Sequence, residues 1–176
     1  IFFPQLIAGP IVKYNNMMPQ YKSAANKNKN KKTIFLGLFV IFIGLFKKVI
    51  IADNLALIVD DGFANHESLE FFGSWLTSLA FTFQIYFDFG GYIDMATGSA
   101  LLFKIKLPVN FNSPFKASSM IDFWRRWHIT LSNFLMNYIY FPWLKSLKTV
   151  TFYKTMVVTF FVFIIASPSS FNSLFK

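Results

Sequence analysis

A chain of 176 residues in which 55% of side chains are hydrophobic and 20% aromatic, with 25 Phe, carries more apolar surface than a water-soluble fold of this size can hide. The net charge of +9 then reports lysine-rich segments beside a membrane, not a nucleic-acid surface, because the phenylalanines lie in long apolar runs and not between basic residues. The absence of cysteine excludes a thiol nucleophile, a Cys-ligated zinc and any disulfide.

Residues 1–20, IFFPQLIAGPIVKYNNMMPQ, hold three prolines and one glycine, too broken a run to span a bilayer, and read as a re-entrant or interfacial segment. The chain has no initiator Met and opens in mid-phrase, so it is expected to be a piece of a longer protein. Residues 21–33, YKSAANKNKNKKT, are polar and low in complexity, as in a flexible loop. A first membrane helix is predicted over 34–59, interrupted by Lys47 and Lys48, followed by an acidic loop, DDGFANHESLE, over 60–70. A second is predicted over 71–103, uncharged as far as residue 87, with Gly90 and Gly91 expected to loosen or bend it. Residues 104–119 form a basic loop with two prolines. A helix over 120–141 follows, stopped by Pro142, and a last apolar run occupies 155–167. The expected fold class is all-α: a multi-pass integral membrane bundle with re-entrant or interfacial helices, one membrane domain over 1–176. Residues 49–103 contain no Lys or Arg but seven of the eight acids, so the flanking basic loops are predicted to be cytoplasmic and the acidic loop external.

The chemistry concentrates in DFWRRWHITLSNF, residues 122–134, which holds both arginines of the chain and one of its two histidines. On a continuous helix Asp122 and Arg126 pair at i,i+4, and Trp124, His128, Leu131 and Leu135 share a face. Each Asp or Arg at a bilayer centre costs roughly 2.5–3.5 kcal/mol on insertion scales, so this helix lies at the interface or lines a watery cavity. One reading is an interfacial anchor of tryptophans and arginines. The other is a polar site in which His128 handles a proton, since its ordinary pKa of about 6.5 suits exchange near neutrality, and Arg125 and Arg126 hold an anionic substrate. Asp88 and Asp94 lie among apolar residues and read either as a site wall or ion pathway, or as partners of lysines such as Lys47. His66 reads as a solvated loop residue. No G-x-S-x-G, H-E-x-x-H, Walker or G-x-G-x-x-G motif occurs, and two distant histidines make a metal cluster unexpected.

The phrases IAGPIVKY, GLFKKVIIADNLA, FQIYFDFGGYIDMATG, LPVNFNSPF and DFWRRWHITLSNFLMNYIYFP occur in that order. Together they resemble the membrane-bound O-acyltransferase family, and most closely its bacterial branch that O-acetylates exported polysaccharides such as alginate and peptidoglycan. The resemblance implies a bundle around a tunnel, and as substrate an acyl thioester donor (acetyl-CoA or an acyl carrier) entering from the cytoplasm, with no bound cofactor. It further implies an exported polysaccharide acceptor, an extracytoplasmic partner transferase, an inner-membrane location and no nucleic acid. Asp122, Trp124, Arg125, Arg126, Asp88 and Asp94 would line the substrate path, and His128 would serve as base. His128 matches the family's first histidine. The second, in a GLWHG-like phrase and usually held to be catalytic, does not occur, so the chain is expected to be a fragment or the product of a broken gene, inactive alone. The alternatives are an ion-coupled transporter using Asp88 and Asp94, and a non-catalytic membrane scaffold for a partner transferase.

Overall fold

The computed structural model describes residues 9–23 and 31–146, and among these every regular element is helical. The predicted apolar run at 155–167 lies outside the described residues, as do residues 1–8 of the predicted re-entrant segment. The chain divides into two compact units, Ile1–Leu107 and Pro108–Lys176.

In the first unit, α1 (Tyr14–Lys22) tolerates Pro19 in its interior, and Gln20 secures it. The Gln20 side chain accepts from Lys106 N at 2.8 Å and donates back to Lys106 O at 3.2 Å and to Asn16 O at 3.0 Å. Met17 of α1 packs with Ala96, Ala100, Ile105 and Leu107 in the buried core of this unit. The first long helical stretch runs Lys31–Ala64, further than predicted at both ends, and among the described residues it alone is long and apolar enough to cross a membrane. It is built of α2 (Lys31–Leu45), a π-helical segment (Phe46–Ala52) and α3 (Asp53–Ala64). The acidic loop therefore shrinks: Asp60 and Asp61 are helical, and the turn is confined to residues 65–70. Asn65 closes the helix, its backbone N–H and its side chain both donating to Asp61 O.

Helix α4 (Phe71–Leu102) runs through Gly90 and Gly91 without interruption. What the glycines provide is proximity. A Cβ on Gly91 would stand 2.7 Å from Gly44 O, and one on Gly98 would stand 2.6 Å from Gly37 O. Gly37 and Gly44 are seven residues apart on α2, as are Gly91 and Gly98 on α4, so two glycine pairs bring antiparallel backbones into direct contact, a device common where helices pack in lipid. The hydroxyls of Thr77, Ser78 and Thr82 donate to carbonyls four residues back, which satisfies them within an apolar helix. Helix α4 ends in a backbone motif that recovers two terminal carbonyls. Ile105 N donates to Ala100 O and Lys104 N to Leu101 O, with Lys104 at φ 57 in the left-handed position glycine usually fills.

In the second unit, residues 108–119 are extended or turned apart from a short 3₁₀ turn at Pro114–Lys116, which bears out the predicted loop. The predicted continuous helix over 120–141 does not form. It is divided into α5 (Met120–Arg126), α6 (Ile129–Leu135), a π-helical segment (Met136–Tyr140) and α7 (Phe141–Ser146). Trp127 is extended at φ −95, ψ 127, and His128 is left-handed at φ 44, ψ 52, so Trp124 and His128 do not share a helix face with Leu131 and Leu135. Pro142 does not stop the chain either. The helical stretch continues from α6 through the π-helical segment into α7, and the wider π turns just before Pro142 leave room for its ring.

Candidate functional site

The site in the second unit is organised by the break between α5 and α6. Helix α5 starts at Ser119, whose side chain accepts from Asp122 N at 3.1 Å, an ordinary N-cap. Within α5 the expected pair forms: Arg126 Nε donates to Asp122 Oδ2 at 2.9 Å. That hydrogen bond, with the positive charge of Arg126, holds the Asp122 carboxyl below the usual aspartate range. Arg125 is exposed, while Trp124 is half-buried with its ring edge-on to Phe123.

The loop residues 110–112 run beside the break and take over the hydrogen bonds that a continuous helix would have made. Asn112 N donates to Arg126 O at 3.0 Å, and Ile129 N donates to Asn110 O at 2.9 Å. The Asn110 side chain continues the repair, its Oδ1 accepting from Thr130 N at 3.1 Å and from Thr130 Oγ1 at 2.8 Å. His128 offers α6 no side-chain cap, so Asn110 receives the first two N–H groups of α6, those of Ile129 and Thr130, from about twenty residues back in sequence. Histidine and asparagine are among the few residues other than glycine that visit the left-handed region at all readily.

This arrangement buries the imidazole. His128 is 6% exposed, Asn110 1% and Trp127 5%. Phe111 lies edge-on to Trp127 with ring centroids 4.9 Å apart, and Trp127 stacks on Phe123 at 5.7 Å. His128 Nδ1 lies 3.1 Å from Asn110 Oδ1. Burial pushes the His128 pKa down to about 4, against a smaller opposing effect of a backbone hydrogen bond at the same residue, so the ring is neutral at physiological pH. A neutral, buried imidazole held by a fixed partner can accept a proton from a hydroxyl.

The sequence reading assigned no role to Asn110. The signal available was its place in LPVNFNSPF, an amide between two prolines in a segment too irregular to bury a polar side chain by its own secondary structure. The two predicted carboxylates on α4 belong to the first unit. Asp94 Oδ2 is 2.6 Å from Lys47 Nζ, and Asp88 Oδ1 is 2.8 Å from Lys48 Nζ, which also meets Asp53 at 2.9 Å. Both lysines stand on the π-helical segment, so the residues that interrupt the first apolar helical stretch meet the carboxylates that interrupt α4. Gln84, one turn before Asp88, keeps a buried Oε1 with no partner among the described residues. Also among the described residues, no group of three or more His, Asp or Glu could hold a metal ion.

Known proteins carry the same sequence pattern. Residues 1–165 match the family model of the membrane-bound O-acyltransferase family. The chain is 55% identical over 162 residues to a peptidoglycan O-acetyltransferase of Helicobacter pylori, covering 92% of this chain and 31% of that protein. It is 38% identical over 158 residues to a probable alginate O-acetylase of Pseudomonas fluorescens, covering 89% of this chain and 31% of that one. It is 33% identical over 142 residues to a teichoic acid D-alanyltransferase of Bacillus subtilis, covering 80% of this chain and 35% of that one. The chain thus spans about a third of the length of the curated relatives it matches. With a matching model over nearly its whole length, the chain belongs to the membrane-bound O-acyltransferase family.

Proposed function

We propose that this chain supplies part of the acyl-transfer site of a multi-pass enzyme of the inner membrane, one that moves an acetyl group from a cytoplasmic thioester towards a hydroxyl of an exported cell-envelope polysaccharide. The observation that carries the reading is the buried His128, neutral by desolvation and fixed at a helix break by Asn110. The names of the relatives, which act on peptidoglycan, alginate and teichoic acid, supply the class of acceptor. In the step itself the imidazole takes the hydroxyl proton as the oxygen attacks the thioester carbonyl carbon. The C–S bond then breaks, and the imidazolium returns the proton to the departing thiolate. Such general-base help is worth about 10²–10⁴ in rate. Arg125 and Arg126 stand three and two residues before His128 and suit the anionic part of a thioester donor, with Asp122 orienting Arg126. Asp122 and Trp124 complete the donor side of the path, and an extracytoplasmic transferase is the partner that would receive the acyl group. For the topology, Lys31–Ala64 would be one crossing by its length and apolarity; a return crossing by α4, with the acidic turn outside and the basic loops inside, rests on the charge distribution.

The transporter reading asks Asp88 and Asp94 to bind a coupling ion, but both carboxylates already face lysine ammonium groups. The experiment is His128→Ala and His128→Asn in the full-length gene product, with base-labile acetate on the polysaccharide as the readout. Acetylation is expected to fall by about 10²-fold or more in both. Undiminished acetylation in His128→Asn, which preserves the left-handed backbone, would remove the histidine from the chemistry.

A further inference from the structure

The hydrogen bonds around Asn110 determine more than the shape of the break. An amide side chain presents an oxygen that only accepts and a nitrogen that only donates. Thr130 N–H is a backbone donor, so the Asn110 atom 3.1 Å from it has to be the oxygen. The alternative orientation would set a backbone N–H against an NH₂ group. That same oxygen lies 3.1 Å from His128 Nδ1, and an oxygen without hydrogen can only be met there by an N–H. We infer that Asn110 is a positioning residue that holds His128 as its Nδ1–H tautomer, which puts the basic lone pair on Nε2. The assignment rests on the acyl-transfer reading only for its catalytic consequence, since the tautomer follows from the geometry alone.

The chain of constraint is short and dry. Asn110 is 1% exposed and Thr130 7%, so water does not compete for the shared oxygen. The amide Nδ2 is buried with no partner among the described residues, so Nδ2 gains nothing that would hold the opposite orientation, and Thr130 decides it. Of the charged side chains of α5, Asp122 and Arg126 are engaged with one another and Arg125 is exposed. Burial lowers the titration of His128, and a backbone hydrogen bond opposes it. An amide at this place therefore orients the ring without charging it. A carboxylate would orient it equally well but would also favour the imidazolium.

The test uses the full-length protein in detergent with ¹⁵N-labelled histidine, the His128 signals being assigned by their loss in His128→Asn. At pH 7 the pyridine-type nitrogen is expected to be the one coupled to both ring C–H protons, which is Nε2. A pyridine-type Nδ1 overturns the inference whatever the activity. Asn110→Asp keeps the oxygen for Thr130 and is expected to fold. It is predicted to retain the Nδ1–H tautomer and to move the acid limb of the kcat/KM profile for acetylation upward by about one to three pH units. Asn110→Leu, similar in volume but without an acceptor, is expected to lower kcat by about tenfold or more with KM little changed, as loss of a tautomer-fixing partner does in hydrolytic triads. An unshifted acid limb in Asn110→Asp, in protein that melts like wild type, also overturns the inference. Should acetylation prove independent of His128 while Nε2 is still the pyridine-type nitrogen, the acyl-transfer reading falls and the tautomer assignment stands.

Discussion

Adjacent glycines on α4 should respond in opposite ways to the same added methyl group. In Gly91→Ala the new Cβ would lie 2.7 Å from Gly44 O, 3.1 Å from Lys48 N and 3.3 Å from Lys47 Cβ, all on the facing helical stretch. The first of these is a backbone atom that cannot rotate away, so the helices must part, at a cost of about 1–3 kcal/mol. In Gly90→Ala the Cβ meets nothing within 4 Å. Both variants gain the same helix propensity, up to about 1 kcal/mol. That gain cancels in the comparison, leaving Gly91→Ala less stable than Gly90→Ala by the steric cost alone, about 1–3 kcal/mol. The shift would be roughly 2–4 °C per kcal/mol for a chain of this size and smaller for a longer one, so thermal unfolding of the full-length protein in detergent is read as the order of the two variants. Gly90→Ala should melt at or above wild type, and Gly91→Ala clearly below Gly90→Ala. Equal melting, or the reverse order, would mean that Gly44 and Gly91 do not touch and that α2 and α4 pack through other faces.

Three further outcomes are expected. Asp94→Leu leaves Lys47 without its carboxylate and should lower stability by about 1–3 kcal/mol, the half-exposed pair being discounted from the buried case, while Lys47→Met with Asp94→Leu should recover most of the loss in the same melting assay. Lys104→Gly relieves a left-handed residue at the end of α4 and should stabilise by about 1 kcal/mol, measured by the same transition. In the unfolded chain His128 takes a proton below about pH 6.5, whereas in the folded protein it refuses one until about pH 4. Stability should therefore fall as pH drops through that window, by up to about 3 kcal/mol, and the slope should flatten in His128→Gln.

The apolar runs placed the long helices within a few residues, because a span of hydrocarbon tolerates little else. The i,i+4 spacing of Asp122 and Arg126 gave their ion pair directly, since both partners sit on one helix. The break at Trp127 and His128 was not legible. FWRRWHITL contains neither glycine nor proline, and each of its residues is acceptable in a helix. What breaks it is tertiary: Asn110 and Asn112, far back in the chain, receive and supply the hydrogen bonds that a continuous helix would have used. Gly90 and Gly91 looked alike to local reasoning, which sees a weak point in any helical glycine. Only the position of α2 tells the contact glycine from the idle one. The roles of Lys47 and Lys48 depended likewise on which residues of α4 stood opposite, a matter of helix pairing that no single-helix pattern contains.

The two units accommodate polar groups among apolar ones by different physical means, and the difference bears on where chemistry can occur. In the first, ammonium and carboxylate groups stand 2.6–2.9 Å apart and cancel one another's charge, so the cost of placing ions in an apolar setting is met by the ions themselves. Drawing a proton or an ion into that cluster would mean undoing a pair. In the second unit the solution is to remove the charge: burial leaves the His128 imidazole neutral, and an uncharged amide fixes its orientation. A neutral base can take up a proton transiently and give it back without first breaking an ion pair. The proposed attack of a hydroxyl on a thioester asks for that property, which favours the α5–α6 break over the carboxylates of α4 as the place for the proposed base.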